Sequence, residues 1–275
     1  MKKNLYITSN IELKRDGNTI KIENTKLPIS MIDNVMIMGN GSITSGARNL
    51  LLKNKRSIFF MNYKYETIGI LTPPIQSDYR FRIKQYQNQD NIEFAKYIVL
   101  QKISAIEEFS GKSLNRYKKK LQEVDNLKSI LGVEGSATIY MYNKFKTQLN
   151  DMMINDFVSR TYRPVTDKVN SLLSFLYTMY YNFLFAEVVG AGFDPYIGFL
   201  HIKRGRHAAL VSDLMEPTRV ELTKLAVEIL AEIYTDGFKE IYLTNEARKF
   251  VIKKFDEFLM SYENKLIKEV KGKLC

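Results

Sequence analysis

Cysteine is all but missing from this 275-residue chain: there is one copy, Cys275, at the final position. A single thiol closes no disulfide and builds no cysteine-based zinc cluster, and a reducing, cytoplasmic setting fits. Histidine is nearly as rare, with two copies, which confines imidazole chemistry to His201 and His207. Acidic residues are in deficit, 30 Asp+Glu against 41 Lys+Arg, so the formal net charge is +11. That balance attracts polyanions, nucleic acid first among them, unless the charge only keeps the chain in solution. Internal repeats and low-complexity tails are absent, and the opening MKKNLYITSNIELKRDG has no apolar core of signal-peptide length. The longest apolar run, Ser171 to Phe193, is broken by Ser174, Asn182, Glu187 and several tyrosines. It predicts a buried helix of a soluble protein, not a bilayer span, and no membrane partner is expected.

What is present is enough to fold. Hydrophobic residues make up 45% and aromatics 12%, ample for a core in one large or two modest domains. The first part reads as short strands: NLYITS, IELKRDGNTIKIE, VMIMG and RSIFFMN are β-branched or aromatic runs, with Asp16-Gly17-Asn18 placed as a hairpin turn. Between the last two runs, Ile43 to Lys55 has helical spacing and follows Ser42, Thr44 or Ser45, any of which suits a cap. Thr72-Pro73-Pro74 breaks this pattern, because consecutive prolines impose extended backbone and remove ladder donors. From about Ser77 the spacing is helical almost throughout, with hardly a proline before Pro164, Pro195 and Pro217. The predicted fold is therefore α+β and multidomain. A small N-terminal β domain with one short helix spans residues 1–75, and a larger all-α catalytic domain spans 76–275.

Chemistry concentrates in GFDPYIGFLHIKRGRHAALVSDLMEP, Gly192 to Pro217, where His201 is followed after twelve and fifteen residues by Asp213 and Glu216. A neutral imidazole with carboxylates is a ligand set for a divalent metal that leaves positions open for substrate oxygens, as phosphodiester chemistry requires. Asp213 and Glu216 are expected at the start of one helix running through VELTKLAVEILAEIY, on the same side by their spacing. The plainer reading is that Asp213 caps that helix and Glu216 complements its dipole. A further ligand is needed, and Glu134 in LLGVEGSATIYMYNKF is the candidate, unless it is only a first-turn glutamate opposing a helix dipole. Three basic clusters stand out: Arg116 with Lys118, Lys119 and Lys120; Lys203 with Arg204 and Arg206; and Arg248 with Lys249, Lys253 and Lys254. The first and third read as solvated helix faces, whereas the second, in a glycine-containing loop between His201 and the two acids, is placed to hold phosphates.

LGVEGSA, DKVNSLLSFLY, GAGFDPYIGFLH and SDLMEPTR, in this order and at these separations, closely resemble the signature of the CRISPR-associated adaptation integrases, the Cas-one family. VMIMGNGSITSGARNLLLKNKRSIFFMNYKYETIGILTPP in the β half is similar to that family too, so the resemblance covers nearly the whole chain. It implies a metal-dependent DNA endonuclease and integrase that inserts short DNA fragments at a CRISPR array. Motif by motif, the metal ligands and catalytic residues fall on Glu134, His201 and Glu216, with Asp213 nearby and orienting a ligand or capping the helix instead of touching the ion. The ion is expected to be manganese or magnesium, since hard oxygen ligands and a phosphate substrate favour these over zinc. Lys203, Arg204 and Arg206, with Arg219 at the end of SDLMEPTR, are the expected DNA-binding residues. Double-stranded and branched DNA are the implied substrates. The implied assembly is a homodimer joined through the β domains, two of which flank the small Cas-two adaptation protein in a heterohexamer.

The chain departs from the family at Met141, where members commonly carry an aromatic, and His207 matches no family ligand; it reads as a phosphate donor or a plain loop residue. Two other functional classes remain compatible with the residues. One is a DNA-repair nuclease or mobile-element integrase of the same fold, and the other is a non-catalytic DNA-binding scaffold, against which the intact ligand set argues.

Overall fold

The computed structural model describes residues 3–7, 11–61, 67–73, 79–89, 91–162, 164–202, 207–262 and 265–274. Two compact units result, Met1–Gln76 with Ile252–Tyr262, and Ser77–Val251 with Glu263–Cys275. The helical spacing by itself assigns all of residues 76–275 to the helical domain. An amphipathic pattern says that a helix is buried on one face but not against what, so the grouping of 252–262 with the N-terminal unit is not visible in it.

In the first unit the chain runs through β1 (Lys3–Ile7), β2 (Glu12–Asp16), β3 (Thr19–Ile22), β4 (Thr25–Pro28), a 3₁₀ turn (Ile29–Met31), β5 (Ile32–Met38), β6 (Ser42–Ile43), α1 (Ser45–Lys53), β7 (Ile58–Met61) and β8 (Thr67–Leu71). One sheet has the order β1-β5-β7-β8 and the other β4-β3-β2-β6. Strand β5 lies between two parallel neighbours, and its apolar residues Val35, Met36, Ile37 and Met38 are all buried. That burial accounts for an unbroken apolar run where a half-exposed strand would alternate. Asp16 pairs with Thr19 across a two-residue turn whose Gly17 takes φ 60°, a backbone that glycine adopts without strain. Of the three possible caps for α1, Thr44 is used, its hydroxyl accepting the Ala47 N–H at 3.4 Å.

The second unit contains α2 (Tyr79–Gln87), α3 (Ile92–Ser110), α4 (Asn115–Glu123), α5 (Leu127–Asp151), α6 (Lys168–Gly190), α7 (Ala209–Met215), α8 (Thr218–Ile233), the short strands β9 (Phe238–Lys239) and β10 (Tyr242–Leu243), α9 (Asn245–Ser261), which runs on into the other unit's segment, and α10 (Leu266–Leu274). The expected all-α character is corrected by β9 and β10, an antiparallel hairpin. Strands of two residues are too short to show a period of two, so the sequence pattern carries no trace of them.

Asparagine and aspartate start the long helices as capping chemistry dictates: Asn91 accepts from Glu93, Asn126 from Ser129 and Asp167 from Asn170. Helix α3 ends at Gly111, in the left-handed conformation that closes a helix. Helix α5 buries Ile130, Val133, Ala137, Met141, Phe145 and Leu149, one stripe at helical spacing, and packs on α3, α4 and α8. Helix α6 is long and apolar enough to cross a membrane by length and composition, yet 59% of its most apolar window is buried. It packs against α7 and α8.

Candidate functional site

Helix α3 has an apolar stripe of Ile98, Val99, Ile103 and Ile106, each fully buried, and Lys102 falls in the middle of it. A buried ammonium is tolerated only when charged or polar partners surround it. Lys102, 3% exposed, has two: its Nζ donates to Glu134 Oε1 from α5 and to Glu216 Oε2 at 2.6 Å. The Thr138 hydroxyl, one turn along α5, lies 2.9 Å from the same Glu134 oxygen. Arg219, in the first turn of α8, donates its Nε to Glu216 Oε1 at 2.9 Å, and its guanidinium lies over the Tyr177 ring, 5.0 Å from the centroid. Burial works to raise the Glu216 carboxyl, but Arg219, Lys102 and the His201 ring outweigh it and hold it down at about 2. Burial likewise works against the Lys102 charge, and Glu216 and then Glu134 more than offset it, so its affinity for a proton rises.

A second cluster holds the imidazole. Asp213 is fully buried and accepts backbone N–H groups from Phe199 at 2.6 Å, Leu200 at 2.9 Å and His201 at 2.8 Å. Its Oδ1 also lies 2.7 Å from His201 Nδ1. A proton on Nδ1 completes that bond and leaves Nε2 of the neutral ring with its lone pair free for a ligand. Burial alone would lower the proton affinity of His201, but the hydrogen bond and charge of Asp213, aided by Glu216, raise it. The chain can approach this closely only because residue 198 is glycine: a Cβ there would stand 2.7 Å from Asp213 Oδ2 and 2.9 Å from the His201 carbonyl oxygen.

Several expectations change at this level. Asp213 and Glu216 do not start one helix: Asp213 sits in the last turn of α7, Glu216 caps its C-terminus, and α8 begins at Thr218. Pro217 interrupts the hydrogen-bond ladder, because its missing N–H cannot bond back to the Asp213 carbonyl, while Glu216 and Pro217 themselves keep helical dihedrals. Asp213 therefore caps no helix start; it ties down the turn at 199–201. Glu134 is not a first-turn residue either, since α5 begins at Leu127, two turns earlier. Arg219 is turned inward onto Glu216 and Tyr177. Lys203, Arg204 and Arg206 lie outside the described residues. His207 stacks on Tyr181 at 5.6 Å between centroids, and its Nε2 lies 2.6 Å from the Ser212 hydroxyl. Met141 is fully buried beneath α8, 3.9 Å from the Thr223 hydroxyl. In the first basic cluster Arg116, Lys119 and Lys120 are exposed on α4, whereas Lys118 pairs with Glu107.

The structure thus brings Glu134 and Glu216 onto one cation, and His201 onto Asp213. Among the described residues no three histidine, cysteine, aspartate or glutamate side chains are gathered as a ready metal shell. The Lys102 ammonium takes one oxygen of each of the two glutamates. The donor chemistry nonetheless suits a divalent ion: two carboxylates from separate helices already converge on a positive charge, beside an imidazole fixed through its other nitrogen. Lys102 is not among the residues that the sequence motifs single out, although a lysine within the apolar stripe IVLQKISAI is its signal.

The family model for CRISPR associated protein Cas1 matches residues 5–257. The CRISPR-associated endonuclease Cas1 1 of Thermodesulfovibrio yellowstonii is 26% identical, over 95% of this chain and 92% of the relative. Among solved structures, a CAS1 protein from Thermotoga maritima superposes with a TM-score of 0.84 at 24% identity, over 99% of this chain and 96% of that one. A casposase bound to integration product superposes with a TM-score of 0.74 at 20% identity, over 93% and 82%.

The crowding at Gly198 is directly measurable. Gly198→Ala should lose about 1–3 kcal/mol of stability through overpacking, while Gly132→Ala on the open face of α5 should gain up to about 1 kcal/mol. Urea melts of the two variants check this. Acid provides a second test. A carboxyl held low only in the folded chain contributes stability that is complete above its ordinary value of 4.5 and lost as the pH falls toward about 2. Metal-free wild-type protein should therefore lose stability more steeply across that window than Glu216→Gln does, and equal urea midpoints at each pH would contradict the burial and pairing described.

Proposed function

The chain belongs to the Cas1 family of CRISPR-associated proteins, and from that premise we propose that it is a metal-dependent DNA endonuclease and integrase that inserts short DNA fragments into a CRISPR array. The observation that carries the reading is the convergence of Glu134 and Glu216 on one buried cation, next to an imidazole oriented by Asp213. Glu134, Glu216 and the Nε2 of His201 are the proposed ligands of manganese or magnesium. When bound, such an ion would draw charge from a phosphate oxygen and favour loss of the proton from an attacking hydroxyl.

The chain's own residues supply the rest. Asp213 fixes the His201 tautomer and, through three backbone N–H groups, the turn that carries the ring. Arg219 steers the Glu216 carboxylate and adds a fixed positive charge beside the place where a phosphate would lie. In integration, the fragment's 3′ oxygen forms a bond to phosphorus, and the 3′ oxygen of the cut strand leaves with the bonding pair. Its proton balance closes because the attacking hydroxyl loses one proton and the departing oxygen gains one. Water in place of the fragment's hydroxyl gives cleavage. The fold shared with a casposase solved on its integration product supports this reading of the reaction class. Lys203, Arg204 and Arg206 are proposed to hold DNA phosphates, and the partners proposed are double-stranded and branched DNA, a second copy of the chain and the Cas-two protein.

If the ligands are assigned correctly, Glu134→Gln, His201→Ala and Glu216→Gln should each reduce cleavage and joining of labelled duplex DNA to background while remaining folded by thermal melting. Manganese titrations by calorimetry should show binding abolished in the same variants. Wild-type activity in Glu134→Gln would remove the assignment. For the basic loop, changing Lys203, Arg204 and Arg206 together to alanine should weaken DNA binding equally for all sequences. The slope of log affinity against log salt should also drop by about 0.9 for each phosphate that is no longer neutralised. An unchanged slope would show the loop to be a solvated charge run.

A further inference from the structure

The four charged side chains at the heart of the site cancel one another before any ion arrives. Glu134 and Glu216 contribute two negative charges, and Lys102 and Arg219 two positive ones, each within hydrogen-bond reach of a carboxylate. Lys102 is 3% exposed, within the buried stripe of α3 that holds Ile98, Val99, Ile103 and Ile106, so it does not extend into water as a surface lysine would. We propose that Lys102 is a positioning residue: a built-in counter-cation that keeps the two carboxylates aligned in the metal-free protein and makes binding of the divalent ion depend on the phosphate of bound DNA. This rests on the ligand assignment proposed above.

Charge is what couples the two ligands. A divalent ion that takes the same carboxylate oxygens adds two positive charges to a group of four that is neutral without it, beside an ammonium and a guanidinium, and the Asp213 carboxylate behind His201 offsets only one of them. Charge left uncompensated in a buried setting is strongly unfavourable. A phosphodiester restores part of the missing negative charge and also gives the Lys102 and Arg219 donors an alternative acceptor. Ion and DNA each make the other's binding easier, and such coupling is reciprocal by thermodynamic necessity. Free protein is thereby kept from loading its ion and cutting unselected nucleic acid. The same positive charge also relieves the repulsion between Glu134 and Glu216 when no ion is present, so a neutral side chain at 102 has two opposite consequences: a looser metal-free protein and a tighter ion.

Manganese titration of the full chain, with and without a duplex whose 3′ ends are dideoxy-blocked, tests this. For wild-type protein the duplex should tighten manganese binding by about 5- to 150-fold, the range usual for coupled sites. Lys102→Met, and Lys102→Gln as the milder change, should bind manganese more tightly than wild type without DNA and lose most of the DNA effect. Both should also melt at a lower temperature than wild type without metal and gain more from added manganese. Lys102→Arg should restore the wild-type dependence on DNA. A role limited to packing would lower the melting temperature but leave the affinity and its coupling to DNA untouched. Wild-type affinity that is the same with and without the duplex overturns the proposal even if neither neutral variant folds, as does manganese binding no tighter in Lys102→Gln. If Glu134→Gln binds manganese as wild type does, the ligand assignment fails instead, and the two failures are distinguishable.

Discussion

Three helices of the second unit meet at one ammonium group. Lys102 from α3 reaches Glu134 on α5 and Glu216 at the junction of α7 and α8, and an apolar side chain in its place would leave a buried and a part-buried carboxylate facing each other. Removing one member of a buried pair costs about 3–5 kcal/mol, mostly through the charge left behind, so the packing of α3 against α5 and the α7–α8 junction is coupled to this contact. The site's functional geometry follows from it. A carboxylate on α5 and a carboxylate at a helix break are far apart in sequence, and one shared donor brings their oxygens together.

A second constraint, independent of the first, holds the imidazole. The break at Pro217 ends α7 at Met215, which leaves Asp213 in the last turn of a short helix, facing the 199–201 turn. The absence of a side chain at Gly198 lets that turn close on the carboxylate. Three backbone donors and one ring nitrogen then share a single buried acid. Asp213 and Glu216, three residues apart, serve different partners: the first accepts from the 199–201 turn and the second from Lys102 and Arg219. The site is therefore assembled from two preformed halves. One is a carboxylate pair bridged by Lys102 and the other an oriented histidine.

Much of this is legible in the residues. The short strands, the turn at Asp16-Gly17-Asn18 and the switch to helical spacing after the paired prolines are local signals, set by backbone chemistry that needs no tertiary partner. Strand β4, the hairpin β9–β10 and the grouping of 252–262 with the N-terminal unit are not legible, because each depends on neighbours that a window of sequence does not contain. In the site, the motif residues are visible as residue types, but their arrangement is not. The interruption at Pro217 is not read from the residues, since a proline suits a helix start equally well and the spacing puts Asp213 and Glu216 on one helix. Lys102 is signalled by a charge inside an apolar stripe, while its partners, 32 and 114 residues away, are not.

The reaction proposed for this centre is attack of a DNA 3′-hydroxyl on a backbone phosphodiester. Joining of a labelled duplex to a supercoiled plasmid bearing a CRISPR repeat, with manganese or magnesium present, reads that step itself. Duplexes ending in a free 3′-hydroxyl are compared with otherwise identical duplexes ending in a dideoxynucleotide. Joined, relaxed plasmid from the hydroxyl-ended duplex and none from the dideoxy-ended one is the predicted result; equal joining of both, or of neither, would contradict it.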